Sequence, residues 1–512
     1  LYPAMMPFLK KLFRRQPDIP QRLRGYNLAA VDRLTADWIA GNANANKEIA
    51  PSLKTMRQRA RDLERNNDYM RGYFRLLENN VLGHRGIGLE MKITEMVRDG
   101  TVWVKQYDRR ANDMIEAAWR RWCRPESCTV GGTLSWLDLQ RLAIRSVPRD
   151  GACLFRKWPS GPFAFQLEPM EIDHLNTDWR TPSARGNEVN LGIEYMPSGK
   201  VAGYWLYKRH PGEQTYATNT YGPTIFVAAT DVLHLFKPER IGQATGVPWL
   251  HSAGSRLKNL TAYEEAEVIA ARAGASKMAF LEKATSEPYT GVMAGDQRQM
   301  EIAPGMIEEL PAGMTLKPFD VSHPNSNLNE FIKAELRGIA AGLGLSYVSF
   351  ANDLEGVNYS SIRAGLLEER ENWKAVQKWF IDGFIAPVFE EWLVRALAMG
   401  AISEGNLVLP VAKFDKFNRP EWKPRRWDWV DPLKDMQASV LAVEKGFTSR
   451  RAVISEAGGD IESVFADQAA DEALAELNGL DFAADSGQQA NTQPTQPDEG
   501  DDPEAALTDD KE

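Results

Sequence analysis

One apolar stripe, Ile362, Leu366, Trp373, Val376, Phe380, Phe384, Val388 and Trp392, recurs at helical spacing through residues 360 to 399. An average helix has about 11 residues, so one of about forty is expected to be a spine joining the layers of a large body. Ser360 or Ser361 stands where its cap belongs. Pro387 falls inside the stripe. A proline there removes a backbone donor and its ring meets the preceding turn, so a kink is expected near 383 to 387. The charge run Glu368, Glu369, Arg370, Glu371 reads as the solvated face.

Around this spine the chain changes texture in blocks. Residues 53 to 82 read as one helix, with Met56, Ala60, Leu63, Asn67, Met70, Phe74, Leu77 and Val81 on one stripe and Arg57, Arg59, Arg61, Arg65, Arg71 and Arg75 mostly on other faces. GHRGIGLE (83–90) follows that helix and leads into a strand-like run. It reads as a turn, because a phosphate cradle follows a strand and opens a helix. Helices are expected at 107–124, with Ile115, Ala118, Trp119 and Trp122 on one side, and at 134–147. From 152 to 236 short alternating runs separated by Pro, Gly and Asn clusters predict antiparallel sheet. Strands gathered after helices point to an α+β domain. Helical periodicity returns at 250–282 and 327–343, around a Pro- and Gly-rich insertion at 283–320. A long connection, 345–359, follows. The segment 413–432 holds three Trp and two internal Pro, and 433–475 reads as short helices.

Length and charge narrow the function. At about 100 to 200 residues per domain, 512 residues allow about three domains. No apolar run reaches the roughly 18 residues of a membrane span. The opening LYPAMMPFLKKLFRR places apolar residues before Lys10, Lys11, Arg14 and Arg15, the reverse of a secretory signal, so the cytoplasm is the expected place of assembly. Cys123, Cys128 and Cys153 form no CxxC pair and read as buried thiols in a reducing compartment. The net charge is −9, but residues 476–512 alone contribute −10, leaving the rest at +1. That tail is expected to be disordered, and the near-neutral remainder argues against tight duplex binding, which needs a strongly basic face.

No catalytic signature emerges. GxxxxGK[ST], HExxH and GxSxG are absent, and the six His are scattered without ligand spacing. Asp173, His174 and Asp178 come nearest to a metal or nuclease cluster, but acids between strands are usually solvated, and neither a metal site nor a cofactor is expected there.

Seven segments together carry a resemblance: RARDLERNNDYMRGYFRLLENNVLGHRGIGLE (59–90), RRWCRPESCTVGGTLSWLDLQRLAIRSVPRDG (120–151), FQLEPMEIDHL (165–175), NLGIEYMPSGKVAGYWLY (190–207), DVLHLFKPERIGQATGVPWL (231–250), LRGIAAGLGLSYVSF (336–350) and NYSSIRAGLLEERENW (358–373). In this order over residues 25 to 430 the chain resembles the lambda-family phage portal proteins. The resemblance implies a non-enzymatic head-tail connector in the virion. It further implies a homododecameric ring at one capsid vertex, through which double-stranded DNA is packaged and ejected. Partners implied are further copies of the chain, DNA held weakly and without sequence preference, the terminase large subunit, head-completion or neck proteins, and the major capsid or scaffolding protein, with no membrane.

The implied portal fold is α+β, with a wing of helices and antiparallel sheet, a two-helix stem, a clip, a long kinked helix and a helical crown. It maps as a basic flexible N-terminus (1–24), wing (25–249), stem helix (250–282), clip (283–320), stem helix (321–344), channel loop (345–359), wing with the long kinked helix (360–429), crown (430–475) and acidic tail (476–512). A conduit must let phosphates slide, since each neutralised phosphate strengthens holding. Stem candidates for the channel are Glu264, Glu265, Glu267, Arg272, Lys277, Glu330, Lys333, Glu335 and Arg337. Loop candidates are Asn352, Asp353, Glu355, Asn358 and Tyr359, and Pro387 is the helix kink. Competing readings are a metal-dependent DNA-processing enzyme using the Asp173 group, or another ring-forming neck or capsid component.

Overall fold

The computed structural model describes residues 41–99, 102–183, 185–213, 223–275, 279–283, 314–318, 327–355, 359–427, 432–456, 459 and 461–477. The basic segment 1–24, most of the insertion 283–320, Lys277, Asn358, Trp429, the Tyr359 side chain and the acidic tail beyond Leu477 lie outside this description.

Two helices, α1 (Ala45–Asn66) and α2 (Asp68–Val81), replace the single helix expected over 53–82. Asn67 divides them: its backbone is extended and its Oδ1 accepts the Met70 amide at 3.0 Å. A favourable N-cap thus outweighs an apolar period that runs on across the break. Arg57 and Arg61 also depart from expectation. They face inward, Arg57 only 2% exposed, toward Asp150 and Asp173.

The strands β1 (Gly88–Met91), β2 (Thr94–Asp99) and β3 (Val102–Tyr107) lead to α3 (Arg109–Trp122), α4 (Pro125–Cys128) and α5 (Trp136–Asp150). Ser135 and Asp138 start α5 with a reciprocal capping box. Next come β4 (Ala152–Trp158), β5 (Gln166–Glu171), β6 (Glu188–Asn190), β7 (Ile193–Tyr195), β8 (Val201–Tyr207), β9 (Thr224–Ala228) and β10 (Val232–Phe236). They form two antiparallel sheets, ordered β10-β4-β5 and β6-β7-β8-β9.

Period-two alternation lets β4 serve two cores. Cys153 and Phe155 join the large core, while Ala152 and Leu154 join a smaller one with Ile172, Ile193 and Leu206. At the α5–β4 junction Gly151 has φ +87°. A Cβ on Gly246, from the loop after β10, would lie 2.0 Å from the Gly151 carbonyl oxygen. Two backbones touch there, and only glycine fits.

The second half begins with α6 (Gly254–Ala275), β11 (Ala279–Lys283) and β12 (Met314–Pro318). The helix expected over 250–282 is therefore shorter, and residues 279–283 pair antiparallel with 314–318 at the base of the insertion. Then follow α7 (Leu328–Leu343), α8 (Tyr347–Ala351), α9 (Tyr359–Phe380) and α10 (Ala386–Ala398). Between α9 and α10 lies one π-helical stretch, Ile381–Ile385, in which the Ala386 amide bonds the Ile381 carbonyl. Pro387 is thereby the second residue of α10, close to where its missing donor costs least. The stretch is packed: Phe384 lies 4.6 Å from Phe155 and 5.2 Å from Trp136, ring centre to ring centre.

Glu369 corrects the reading of its charge run. It is buried, accepting from Trp373 Nε1 at 3.0 Å and Ser346 Oγ at 2.7 Å. The chain ends its described course with β13 (Ser403–Glu404), β14 (Leu407–Val408), α11 (Phe414–Phe417), β15 (Pro420–Lys423), α12 (Pro432–Glu444), α13 (Arg450–Glu456) and α14 (Ile461–Leu477). β15 pairs with β1. Trp422 meets Phe389, and Trp427 Nε1 donates to Asn80, so these two tryptophans pack within their own subunit. At the centre Trp119, Trp122, Trp136 and Trp392 cluster with centroids 4.7 to 6.4 Å apart, and with Phe384 and Phe389 they tie α3, α5 and α10 together.

Candidate functional site

The long connection after α7 is built rather than slack. Gly344 (φ +71°) ends α7 in the left-handed conformation, and Asn372 Nδ2 donates to its carbonyl at 2.8 Å. Ser346 caps α8, accepting the Ser349 amide. Asn352 follows with φ +53°, which an Asn tolerates better than most residues. This turn delivers Asp353 and Glu355 to α7. Lys333 Nζ reaches Glu355 at 2.8 Å and Asp353 at 3.8 Å, the Tyr347 hydroxyl donates to Asp353 at 2.6 Å, and Arg337 sits 5.2 Å from the Tyr347 ring.

The network tunes its members. The Tyr347 hydrogen bond, then the Glu355 amide, hold the Asp353 carboxyl below its ordinary range. Hydrogen bonding to Glu355 raises Lys333, while burial and then Asp353 raise the Tyr347 hydroxyl. Four sequence candidates, Lys333, Arg337, Asp353 and Glu355, are thus brought into one cluster. Tyr347 was missed, since a lone aromatic in a connection between helices gives no periodic signal.

Other stem candidates separate by partner. Glu264 accepts from Tyr69 of α2 at 2.9 Å, so it faces the body and is not a free lining charge; burial and this bond push the Tyr69 hydroxyl up to about 12. Glu335 pairs with Arg256 at 3.1 Å between α6 and α7. Arg256 lies flat on α7, where a Cβ on Gly338 would fall 1.6 Å from its Nη1. Glu267 is half-buried, whereas Glu265, Arg272 and Glu330 are exposed. Between them Val268 and Ile269 of α6 and Phe331 of α7 are bare, 57%, 65% and 47% exposed.

The Asp173, His174 and Asp178 group does not converge. Asp178 pairs with Lys54 at 2.5 Å, and His174 Nδ1 faces the Tyr207 carbonyl oxygen at 3.1 Å. Asp173 instead meets Glu171 and His210, close enough to share a cation. That position already has its positive charge: Arg61 is ion-paired with Asp173, Glu171 and Asp150. Burial opposes its charge but Asp150 and Asp173 overcome this and raise its pKa. A metal ion there would have to displace a guanidinium, so the donor set does not fit one. The thiols are inert as well: burial pushes Cys128 up to about 12 and raises Cys123 and Cys153. Among the described residues no helix is long and apolar enough to cross a membrane.

Comparison with known proteins bears on this geometry. The sequence profile described as "Phage portal protein, lambda family" matches residues 31–377. The probable portal protein of Halomonas phage phiHAP-1 is 32% identical over 504 residues, covering 96% of this chain and 94% of that protein. Portal protein B of Escherichia phage lambda is 21% identical, with 84% and 86% covered. Among solved structures, a chain from the neck of an empty gene transfer agent particle aligns with a TM-score of 0.41 at 15% identity, covering 78% of this chain and 93% of that one.

Proposed function

Since the chain belongs to the lambda family of phage portal proteins, whose members are structural, non-enzymatic components of the capsid vertex that assemble into homo-oligomeric rings, we propose that twelve copies of it form a conduit. Double-stranded DNA is packaged and later ejected through the hole. The terminase large subunit docks at one end, and head-completion or neck proteins join the same assembly. The major capsid or scaffolding protein surrounds it, and assembly takes place in the host cytoplasm.

In this reading α6 and α7 are the stem, the 279–318 hairpin and its insertion the clip, residues 345–355 the channel loop, α9 and α10 the spine of the wing, and α12 to α14 the crown. The observation that carries it is the bareness of Val268 and Ile269, with Phe331 half exposed beside them, on a helix pair attached to a body with a large buried aromatic core. Apolar side chains at adjacent exposed positions are what a repeated interface covers. Exposed Glu265 and Glu330 supply repulsion toward a polyanion, and the Lys333–Glu355 and Arg256–Glu335 pairs occupy cations that would otherwise grip phosphates. Electron microscopy of the purified chain tests this. Rings with a central hole wide enough for a duplex are expected, and compact particles without a hole would refute the conduit.

A further inference from the structure

A second charged surface lies along α9, lined by Glu368, Arg370, Glu371 and Lys374. A cavity of about 670 Å³ opens between α9 and the segment that leaves β15. Gln377 fixes its floor, donating to the carbonyls of Asn80 and Arg425 at 2.9 Å each. Arg425 in turn donates to the Asn79 carbonyl at 2.8 Å and to Asn80 Oδ1 at 2.9 Å. Both are neutral acceptors, so among the described residues no carboxylate pairs with its charge. Arg370 and Arg425 each stand 5.9 Å from the Trp427 ring. Arg426, half-buried on the same wall, has no ion pair among the described residues. Among the described lining residues Glu371 pairs with Lys374, which leaves Glu368 beside Arg370, Arg425 and Arg426, none of which has an ion pair among the described residues.

We propose that this groove receives the chain's own acidic C-terminal segment, residues 478–512. Charge complementarity is the first argument: the segment carries ten carboxylates against Lys511 alone. Attachment is the second. The C-terminal helices pack on β15, the strand that runs straight into the groove wall, through Lys423 Nζ to the Gly459 carbonyl at 3.4 Å and Ser455 Oγ to Glu421 at 3.3 Å. From there α14 is 17 residues long, about 25 Å, and the 35 residues after Leu477 span up to about 115 Å when extended. Exposed ion pairs are individually weak, about 0.2 to 1 kcal/mol. Tethering supplies an effective concentration in the millimolar range, enough to populate such a contact.

The test uses the full-length chain in two forms, native and with the eight acids of residues 496–512 replaced by their amides. Fluorescence anisotropy follows a labelled peptide of residues 496–512 as it binds each form. The neutral-tailed form is expected to bind the acidic peptide at least about tenfold more tightly than the native form, whose own tail competes. Arg370→Glu with Arg426→Glu in the neutral-tailed form is expected to weaken that binding about tenfold. A peptide with every acid changed to its amide keeps the protein untouched and is expected not to bind. Equal affinity for the native and neutral-tailed forms, or for the acidic and amide peptides, would overturn the proposal. So would a short DNA duplex that binds both forms equally well and displaces the peptide, because the groove would then belong to nucleic acid.

Discussion

The body and the α6–α7 pair solve the same problem in opposite ways. At the centre of the body strong groups meet partners of the same chain: Arg57 and Arg61 lie against Asp150 and Asp173, and Trp119, Trp122, Trp136 and Trp392 pack ring against ring. In the pair, Arg256 and Glu335 meet each other, while Val268 and Ile269 are exposed and Phe331, edge-on to Tyr263, stays half exposed. Burial of apolar surface is the main driving force for both folding and association. A region that completes its burial internally needs no neighbour, and one that leaves aliphatic side chains bare has burial left for a neighbour to complete. Substitutions in the body should therefore change folding stability, and substitutions in the pair should change assembly.

The sharpest break of that contrast is Gly246→Ala. The new methyl would collide with the Gly151 backbone, not with a side chain that can move away, and a loss on the order of 4 kcal/mol is expected in chemical denaturation. A silent substitution would mean that the junction is looser than the body's completeness requires.

Arg57→Met is expected to cost about 3 kcal/mol by the same measurement. It removes a buried guanidinium that donates to the Asp150 backbone carbonyl at 2.9 Å and lies 3.8 Å from Asp173, leaving that carbonyl unpaired and Asp173 with one cation fewer. The Arg57 guanidinium itself is held down to about 10 by burial, against the pull of Asp173 and Asp150.

His234 adds a pH limb. Burial first, and Arg57 second, push its pKa down to about 3. An unfolded histidine titrates near 6.5, so between those values the unfolded chain binds the extra proton. Stability is full above pH 6.5 and falls as the pH drops, by about 2 kcal/mol at pH 5. Melting temperatures measured from pH 8 to 5 should show this limb in the native chain and a flatter one in His234→Gln.

The smallest effect is expected in the pair. Gly338→Ala displaces Arg256, a flexible side chain that is half exposed. The lost ion pair and the gain in helix propensity nearly cancel, leaving stability within about 0.5 kcal/mol. In a double-mutant cycle Glu335→Gln should then cost nothing further.

How much of this was legible in the sequence follows the same divide. Periodicity marked the antiparallel sheets, the paired helices and the spine, because one-sided burial imprints a period on the chain. It could not find the Asn67 break, where a cap interrupts a stripe that continues in phase, nor the strand at 279–283. Charge was misread wherever a long-range partner decided its fate. Arg57, Arg61 and Glu369 look like surface residues by composition, yet they are held by groups 23 to 116 positions away. The loop candidates Asp353 and Glu355 were visible as polar groups beside a glycine, but Lys333 and Tyr347, which fix them, become neighbours only when α7 and α8 fold together.

The claim that neighbouring copies complete the α6–α7 pair is tested most directly by light scattering on the double variant Val268→Asp, Ile269→Asp beside the native chain. The native protein should have a mass many times 57.4 kDa. The variant should fall toward the mass of one chain, with a melting temperature for the body that is unchanged once both are compared as single chains. A variant that assembles as fully as the native protein would contradict the account.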